Sequence, residues 1–197
     1  MIKCLSAGFC ICMAAFPVIM ELIMIFRKGT QTDLEAVVRI YNDIHSEEEA
    51  GLVSIGWKRE IYPSAATAEA ALLRDDLFVL EEDGTVLGAG IINQTQMDAY
   101  YNAPWEYEAD DSGVCVLHTL VISPSASGRG LGRRFAAFYE EYARAHGWKE
   151  LRIDTNAINT RARRMYHELG YKEIAVIPTE FNGIQNVNLL LLEKHLP

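Results

Sequence analysis

Residues 121–135 read VISPSASGRGLGRRF and form the most informative segment of the sequence. A β-forming run ends at Pro124, and a glycine-rich turn then leads into an amphipathic helix. The glycines are Gly128, Gly130 and Gly132, and the neighbouring cations are Arg129, Arg133 and Arg134. Glycine lets a backbone turn tightly and approach a ligand, and the unpaired N–H groups of a helix start favour phosphate. The stretch predicts a phosphate-binding strand–turn–helix unit, with a plain tight turn as the alternative.

A second informative segment, LRIDTNAINTRARRMYHELGYKEI, occupies residues 151–174. Its pattern predicts a strand, then a helix from Thr160 that Gly170 closes, then another strand. Five positions fall at fixed spacings after the first strand: Asn159, Ala162, Tyr166, Gly170 and Tyr171. One helix separates this segment from the glycine turn, so both motifs belong to a single β-α-β-α-β run.

Together the two segments resemble the GNAT superfamily of acyl-CoA N-acyltransferases. Residues 121–135 resemble its pyrophosphate-binding motif, R/Q-x-x-G-x-G/A, and residues 151–174 resemble its N-x-x-A-x-x-x-Y-x-x-x-G-F/Y block. The similarity extends over about residues 22–195, and the two motifs in this order are specific. One position departs from the pattern, because Ser127 stands where the family has Arg or Gln and brings no charge. Arg129 is the residue expected to supply that charge instead.

The resemblance implies an α/β fold with a mixed, mostly antiparallel central sheet. Six or seven strands and about four flanking helices are expected, with the fourth and fifth strands splayed apart. The chain's own pattern agrees, since hydrophobic periodicity and turn residues give the order β-α-α-β-β-β-α-β-α-β-β. We expect the N-acetyltransferase domain to occupy residues 20–197 and residues 1–19 to form an apolar appendage.

The resemblance also implies the reaction. Members of this family move an acetyl group from acetyl-CoA to a primary amine, and we expect a small-molecule acceptor and direct transfer with both molecules bound. A protein lysine or N-terminus as acceptor, and a non-catalytic acyl-CoA-binding module, are the alternatives. The expected coenzyme-binding residues are Leu120, Val121, Ile122, Ser127, Gly128, Arg129, Gly130, Leu131, Gly132, Arg133, Asn159, Ala162 and Tyr166. No metal is expected.

Tyr166 and two residues of the sheet are the candidates for proton transfer. Tyr166 matches the family tyrosine whose hydroxyl lies near the coenzyme sulfur, so the resemblance implies an acid that protonates the departing thiolate. His118 shares a strand face with Val116 and Leu120 by simple alternation, and an ordinary histidine pKa of about 6.5 suits a base. Asp154 is the other candidate base. A packing role is the alternative for both Tyr166 and His118.

Three loops are expected to build the acceptor pocket, at residues 51–64, 100–111 and 179–186. They combine aromatic side chains with carboxylates. That combination attracts a cationic amine through charge and through cation–π interaction. Solvated loops with scattered aromatic residues are the alternative.

The composition is that of a globular domain rather than a nucleic-acid-binding protein. The 197 residues carry a formal net charge of −9, which argues against binding to nucleic-acid phosphates. Of four cysteines only Cys115 lies outside the first twelve residues, so the domain has no internal disulfide and suits a reducing, cytoplasmic compartment. No membrane partner is expected, and a homodimer is left open.

The first 26 residues, MIKCLSAGFCICMAAFPVIMELIMIF, are largely apolar. Pro17 and Glu21 interrupt the run, so a membrane span, which needs roughly 20 apolar residues, is not expected. Three interpretations stay open. The true translation start is Met20 or Met24, or the segment is an ordered extension packed on the domain, or it is an export signal.

Overall fold

A computed structural model describes residues 23–197, and the appendage predicted at residues 1–19 lies outside the described residues. The described part contains seven strands and four α-helices. The strands are β1 (Met24–Lys28), β2 (Leu77–Glu82), β3 (Thr85–Asn93), β4 (Val114–Ile122), β5 (Glu150–Asn156), β6 (Lys172–Phe181) and β7 (Ile184–His195). The helices are α1 (Leu34–Glu49), α2 (Ala65–Leu73), α3 (Leu131–Ala145) and α4 (Thr160–Glu168). Short 3₁₀ turns occupy Gln31–Asp33, Asp98–Tyr100 and Pro124–Ala126.

All seven strands form one sheet in the order β1-β2-β3-β4-β5-β7-β6. Every pairing is antiparallel except that of β4 with β5. The predicted α/β fold, with a mixed, mostly antiparallel sheet and four helices, is therefore confirmed. The sequence pattern predicts the last two strands only over residues 171–177 and 187–192. The structure extends both into a hairpin whose turn contains Asn182 and Gly183.

Helices cover both faces of the sheet. On one face α3 and α4 bury Phe135, Tyr139 and Tyr166 against the central strands. On the other face α1 packs through Val37 and Tyr41. These layers follow from the amphipathic spacing of each helix, which places its apolar side chains on one stripe. No helix within residues 23–197 combines the length and apolar character needed to cross a bilayer.

The junction between β1 and α1 is held by a partly buried ion pair. Both terminal nitrogens of Arg27 donate to the Asp33 carboxylate, at 2.7 and 2.9 Å. The backbone N–H and the hydroxyl of Thr30 donate to the same carboxylate at 2.8 and 2.7 Å. The Arg27 guanidinium therefore lowers the pKa of Asp33 to about 2. This arrangement fixes the entry into α1 with the carboxylate at the positive end of the helix dipole.

The sheet opens between its fourth and fifth strands. β4 and β5 pair only where Val114–Leu117 faces Glu150–Ile153, and the ladder ends there. The remaining five residues of β4 keep β3 as a neighbour, but they have no β5 partner. The expected splay is confirmed, and it leaves a fork in the middle of the sheet.

A β-bulge lies at this fork. Thr119 and Leu120 of β4 together face the single residue Gly90 of β3. Thr119 has a φ of 50°, an uncommon conformation for a β-branched residue. The extra residue reverses the alternation, so Leu120 packs on the α3 side of the sheet and Val121 on the α1 side. The prediction that Leu120 shares a face with His118 is wrong for this reason.

Candidate active site

The fork between β4 and β5 opens into a cavity of about 1120 Å³. Both strands line it, together with α1, the segment 51–57, the glycine turn, α3 and α4. All the predicted coenzyme-binding residues except Arg129 line this cavity: Leu120, Val121, Ile122, Ser127, Gly128, Gly130, Leu131, Gly132, Arg133, Asn159, Ala162 and Tyr166. The two sequence motifs therefore meet on one surface, as expected from strands and helices that adjoin the same fork.

The glycine turn has the backbone that its sequence predicts. Gly128 and Gly130 adopt φ values of +79° and +73°, which side chains rarely allow. A Cβ atom added at either position meets no atom within 4 Å, so the turn presents open space. Gly130 is the N-cap of α3, and no side chain caps the first N–H groups of that helix. The start of α3 is thus suited to an anion.

Three arginines line the cavity, Arg133, Arg161 and Arg164, and only Arg133 was predicted. Arg133 and Arg164 both pair with the carboxylate of Glu168. Arg161 instead donates to the hydroxyl of Ser127 at 2.8 Å, and within residues 23–197 it has no carboxylate partner. The sequence did not single out Arg161, because its contact with Ser127 depends on how α4 docks beside the turn.

Arg129 has a different place from the predicted one. Its guanidinium donates to Glu82 of β2 at 2.6 Å, and the residue does not line the cavity. The two charges offset each other on the surface. Arg129 is therefore a poor substitute for the charge missing at Ser127, whereas Arg161 lies in contact with that residue.

Tyr166 lines the cavity from α4 and is 4% exposed. Its ring packs edge-on against Tyr171 at a centroid distance of 5.6 Å. Burial, and to a lesser degree the nearby Asp154 carboxylate, raises the pKa of Tyr166 well above its usual range. The hydroxyl consequently carries its proton at neutral pH.

Asp154 lines the same cavity from β5, just beyond the point where the strands part. The Tyr100 hydroxyl donates to its Oδ2 at 2.7 Å. Burial raises the pKa of Asp154, with His118 and the Tyr100 hydrogen bond acting in the opposite direction. A buried carboxylate with a raised pKa is a stronger base than an ordinary aspartate and is suited to accepting a proton.

His118 lies behind Asp154 rather than on the cavity wall. Its Nδ1 is 4.0 Å from Asp154 Oδ2. Its Nε2 is within hydrogen-bond distance of the Asn93 side chain, at 3.2 Å, and of the Thr95 carbonyl, at 3.1 Å. Burial lowers the pKa of His118, so the imidazole is neutral at neutral pH. The structure thus brings both candidate bases together but exposes only Asp154 to the cavity.

The remainder of the wall combines apolar and aromatic residues with a few polar ones, among them Ser54 and Thr119. Trp57 and Tyr62 contribute from the connection between α1 and α2, and Phe181 from the end of β6. Glu47 contributes a carboxylate from α1 and was not predicted, although it lies one helical turn after the cavity-lining Ile44. The loop predictions at 51–64 and 179–186 agree with this wall.

The segment 100–111 does not line the cavity, contrary to its predicted place in the acceptor pocket. Instead it packs on β5 and β7. The Trp105 ring lies 4.1 Å from the Arg152 guanidinium, and the Glu193 carboxylate accepts the Glu106 N–H at 2.9 Å. Tyr100 connects the loop to the site, because its hydroxyl donates to Asp154 and its ring packs in one buried cluster with Phe181 and Ile184. The contacts of Trp105 and Glu106 anchor the loop to the sheet.

No group of His, Cys, Asp and Glu side chains in the described part of the chain has an arrangement that could hold a metal ion.

The model for the family described as Acetyltransferase (GNAT) family matches residues 34–171, which is more than half of the chain. The chain belongs to the GNAT family of acetyltransferases. The family match confirms the resemblance and identifies the GNAT protein as an acetyltransferase by membership.

Two relatives of this GNAT protein are described as aminoglycoside N(6′)-acetyltransferases of type 1. The one from Salmonella enteritidis is 25% identical over 144 residues, which are 69% of this chain and 91% of the relative. The one from Salmonella typhimurium strain LT2 is 24% identical over the same shares of the two chains. The shared region spans most of the GNAT domain.

Solved structures share the GNAT fold. A GNAT-family acetyltransferase from Streptococcus agalactiae superposes with a TM-score of 0.72 at 21% identity, covering 88% of this chain and 96% of that one. A Salmonella typhimurium protein solved with its cofactor acetyl-CoA gives 0.64 at 19% identity, covering 89% and 95%. A ribosomal-protein-alanine N-acetyltransferase from Brucella melitensis gives 0.64 at 20% identity, covering 87% and 99%. At these identities the similarity shows the fold alone.

Proposed function

We propose that this protein transfers an acetyl group from acetyl-CoA to the primary amine of a small molecule while both substrates are bound. One observation carries the proposal. A single cavity is lined by a glycine turn suited to phosphate, by a tyrosine that keeps its proton, Tyr166, and by a buried carboxylate, Asp154. A phosphate site, an acid and a base on one surface are the groups that transfer from a thioester to an amine requires.

The coenzyme end of the cavity suits two parts of acetyl-CoA, the pyrophosphate and the pantetheine arm. The uncapped N–H groups at the start of α3 suit the pyrophosphate. Of the three arginines that line the cavity, Arg161 is the one that pairs with no carboxylate within residues 23–197. The unpaired edge of β4 beyond Leu117 suits the amide-containing pantetheine arm, which can pair with it as a strand does. An N–H group on that edge can also stabilise the developing negative charge on the thioester oxygen.

Two residues of the cavity wall are assigned the proton transfers. Asp154 accepts the proton that the ammonium must lose before its nitrogen can attack, because burial has raised its pKa. Tyr166 donates its hydroxyl proton to the departing thiolate. His118 acts through Asp154, since its Nδ1 is 4.0 Å from that carboxylate and it does not line the cavity. It is a positioning residue in this assignment.

A small acceptor is favoured over a protein because the segment that follows α1 spans the acceptor end of the cavity, from α1 to the end of β5. The Glu48 carboxylate accepts the N–H groups of Ile55 and Gly56 at 2.7 and 2.9 Å, which ties this segment to α1. A Cβ at Gly56 would lie 2.3 Å from the Asn156 side chain, so the same segment closely approaches the end of β5. The two relatives described as aminoglycoside N(6′)-acetyltransferases also favour a small-molecule acceptor.

Calorimetric titration with acetyl-CoA and a thiol-release assay with a panel of small amines test the proposal. We expect binding and amine-dependent thiol release, and we expect Gly130→Asp to abolish binding by adding bulk and negative charge at the anion site. Gly147→Asp is the matched control, because Gly147 has a similar φ of +77° and open space but does not line the cavity. Unchanged acetyl-CoA affinity in folded Gly130→Asp would contradict the proposal.

A further inference from the structure

We infer that the acceptor is a monoamine carried on an apolar body, aromatic or branched aliphatic, and not a polyhydroxylated polyamine such as an aminoglycoside. This inference rests on the proposed function and adds the chemistry of the acceptor. It comes from the part of the cavity wall that the two coenzyme motifs do not supply. That part is formed by α1, the connection from α1 to α2, and the β6–β7 hairpin.

Three aromatic rings form one corner of this wall. The Tyr62 ring meets Trp57 at a centroid distance of 6.0 Å and Phe181 at 5.5 Å, with interplanar angles of 87° and 86°. Edge-to-face contacts of this kind hold each ring in a defined orientation. The Tyr62 hydroxyl is already hydrogen-bonded to the Thr119 side chain. The corner therefore offers a fixed, mostly apolar surface.

Aliphatic side chains continue the surface. Ile184, Val187 and Leu189 line the cavity from β7, and Ile44 lines it from α1. None of these side chains can donate or accept a hydrogen bond. A hydroxyl group placed against them would leave its water partners without replacement, which lowers affinity. An apolar body gains affinity at the same place because its surface leaves water.

The charges at this end are few. Asp154 and Glu47 are the only carboxylates that line the cavity within residues 23–197. Asp154 already accepts a hydrogen bond from Tyr100 and is assigned the role of base. Glu47 has no side-chain partner in the described part of the chain and is half-buried, so it can attract one ammonium group. An acceptor with several ammonium groups would leave most of them desolvated without a partner.

Two monoamines, one with an aromatic body and one with a hydroxylated body, test the effect of the body while the number of amines stays the same. We propose measuring kcat/KM for 2-phenylethylamine and for glucosamine, which carry one primary amine each, and for kanamycin, which carries several amines. We expect 2-phenylethylamine to exceed both others by at least about 10-fold, the factor that corresponds to burying one aromatic ring.

Variants of the aromatic corner test whether the preference comes from this wall. Phe181→Ala should lower kcat/KM for 2-phenylethylamine by about 10-fold through KM, and Phe181→Leu should restore most of the loss. Tyr101→Ala is the control, because Tyr101 is an aromatic residue that is 62% exposed and does not line the cavity. Unchanged acetyl-CoA affinity in each variant shows that the fold and the coenzyme site are intact.

The outcomes separate this inference from the proposed function. If kanamycin or glucosamine is acetylated as efficiently as 2-phenylethylamine, the inference is overturned and the proposed function stands. If Phe181→Ala leaves the KM for 2-phenylethylamine unchanged, the wall does not hold the acceptor and the inference is again overturned. If the protein neither binds acetyl-CoA nor acetylates any amine, the proposed function fails and the inference falls with it.

Discussion

Replacing Asp154 by asparagine separates proton transfer from packing at the fork. The side chain of Asp154 is only 7% exposed, and its Oδ2 accepts the Tyr100 hydroxyl at 2.7 Å. Asparagine has nearly the same size and retains an oxygen that can accept this hydrogen bond. What it loses is the ability to take up a proton, so we expect the fold and acetyl-CoA affinity to survive and the chemical step to slow.

The size of the expected effect follows from the surroundings of Asp154. A positioned general base typically contributes about 10²- to 10⁴-fold in rate. Within residues 23–197, the other nearby group that could accept the proton is His118, whose Nδ1 is 4.0 Å from Asp154 Oδ2 and which does not line the cavity. We therefore expect kcat for Asp154→Asn to fall by about 10²- to 10⁴-fold, toward the upper part of that range.

The pH dependence gives the sharper measurement. The base must be ionised to accept a proton, so kcat/KM falls as the pH drops through the pKa of Asp154. Burial raises this pKa, and the acid limb of the profile should therefore lie above the pH expected for an ordinary aspartate. Asp154→Asn should remove this limb. The readout is steady-state kcat/KM from thiol release at a series of pH values, at constant ionic strength.

His118→Asn is the companion variant, because it removes the imidazole while Asp154 stays on the cavity wall. We expect a smaller loss than in Asp154→Asn and an acid limb that moves to a different pH without disappearing. The assignment is refuted if Asp154→Asn keeps the parent rate and profile with chemistry shown to be rate-limiting. It is also refuted if His118→Asn alone removes the acid limb, because the histidine is then the base.

Three further predictions concern the acid, the coenzyme site and the fold. Tyr166→Phe should lower kcat by about 10²-fold or more while acetyl-CoA affinity in calorimetry stays near the parent value, because the ring still packs; an unchanged chemical rate in single-turnover experiments contradicts this role. Arg161→Ala should weaken acetyl-CoA binding by about 10-fold, and Arg129→Ala, the paired control, should not, because Glu82 already holds that arginine on the surface. Asp33→Asn should destabilise the protein by about 2 kcal/mol at pH 7, since its pKa of about 2 lies below the ordinary value of 3.8. The stabilisation is present above pH about 4 and is lost as the pH falls toward 2, so urea unfolding should show a difference between Asp33→Asn and the parent that vanishes in acid.

The sequence predicted those features that depend on neighbouring residues. The β-forming run predicted to end at Pro124 is strand β4, which ends at Ile122 because β-branched and apolar residues continue until Ser123 and Pro124. The glycine turn was also predictable from the sequence, since left-handed backbone positions such as that of Gly130 favour glycine.

Features that depend on contacts between distant residues were not predictable. The bulge at Thr119 has no sequence signal, because threonine seldom adopts a positive φ, and so the face of Leu120 was assigned wrongly. Arg129 and Arg161 look alike in the sequence. Their partners differ: Arg129 pairs with Glu82, 47 residues earlier, and Arg161 with Ser127, 34 residues earlier. These distant contacts determine which guanidinium faces the cavity.

The fork in the sheet also has a spectroscopic consequence. Val116 and Leu117 are paired with β3 on one side and with β5 on the other, whereas the amide hydrogens of β4 beyond Leu117 that point toward β5 have no strand to hold them. Hydrogen–deuterium exchange should therefore change from slow to fast within one continuous strand. A molecule bound along that edge slows exchange at each amide that it covers. The number of protected amides in a peptide spanning β4 therefore reports how far into the fork the molecule reaches.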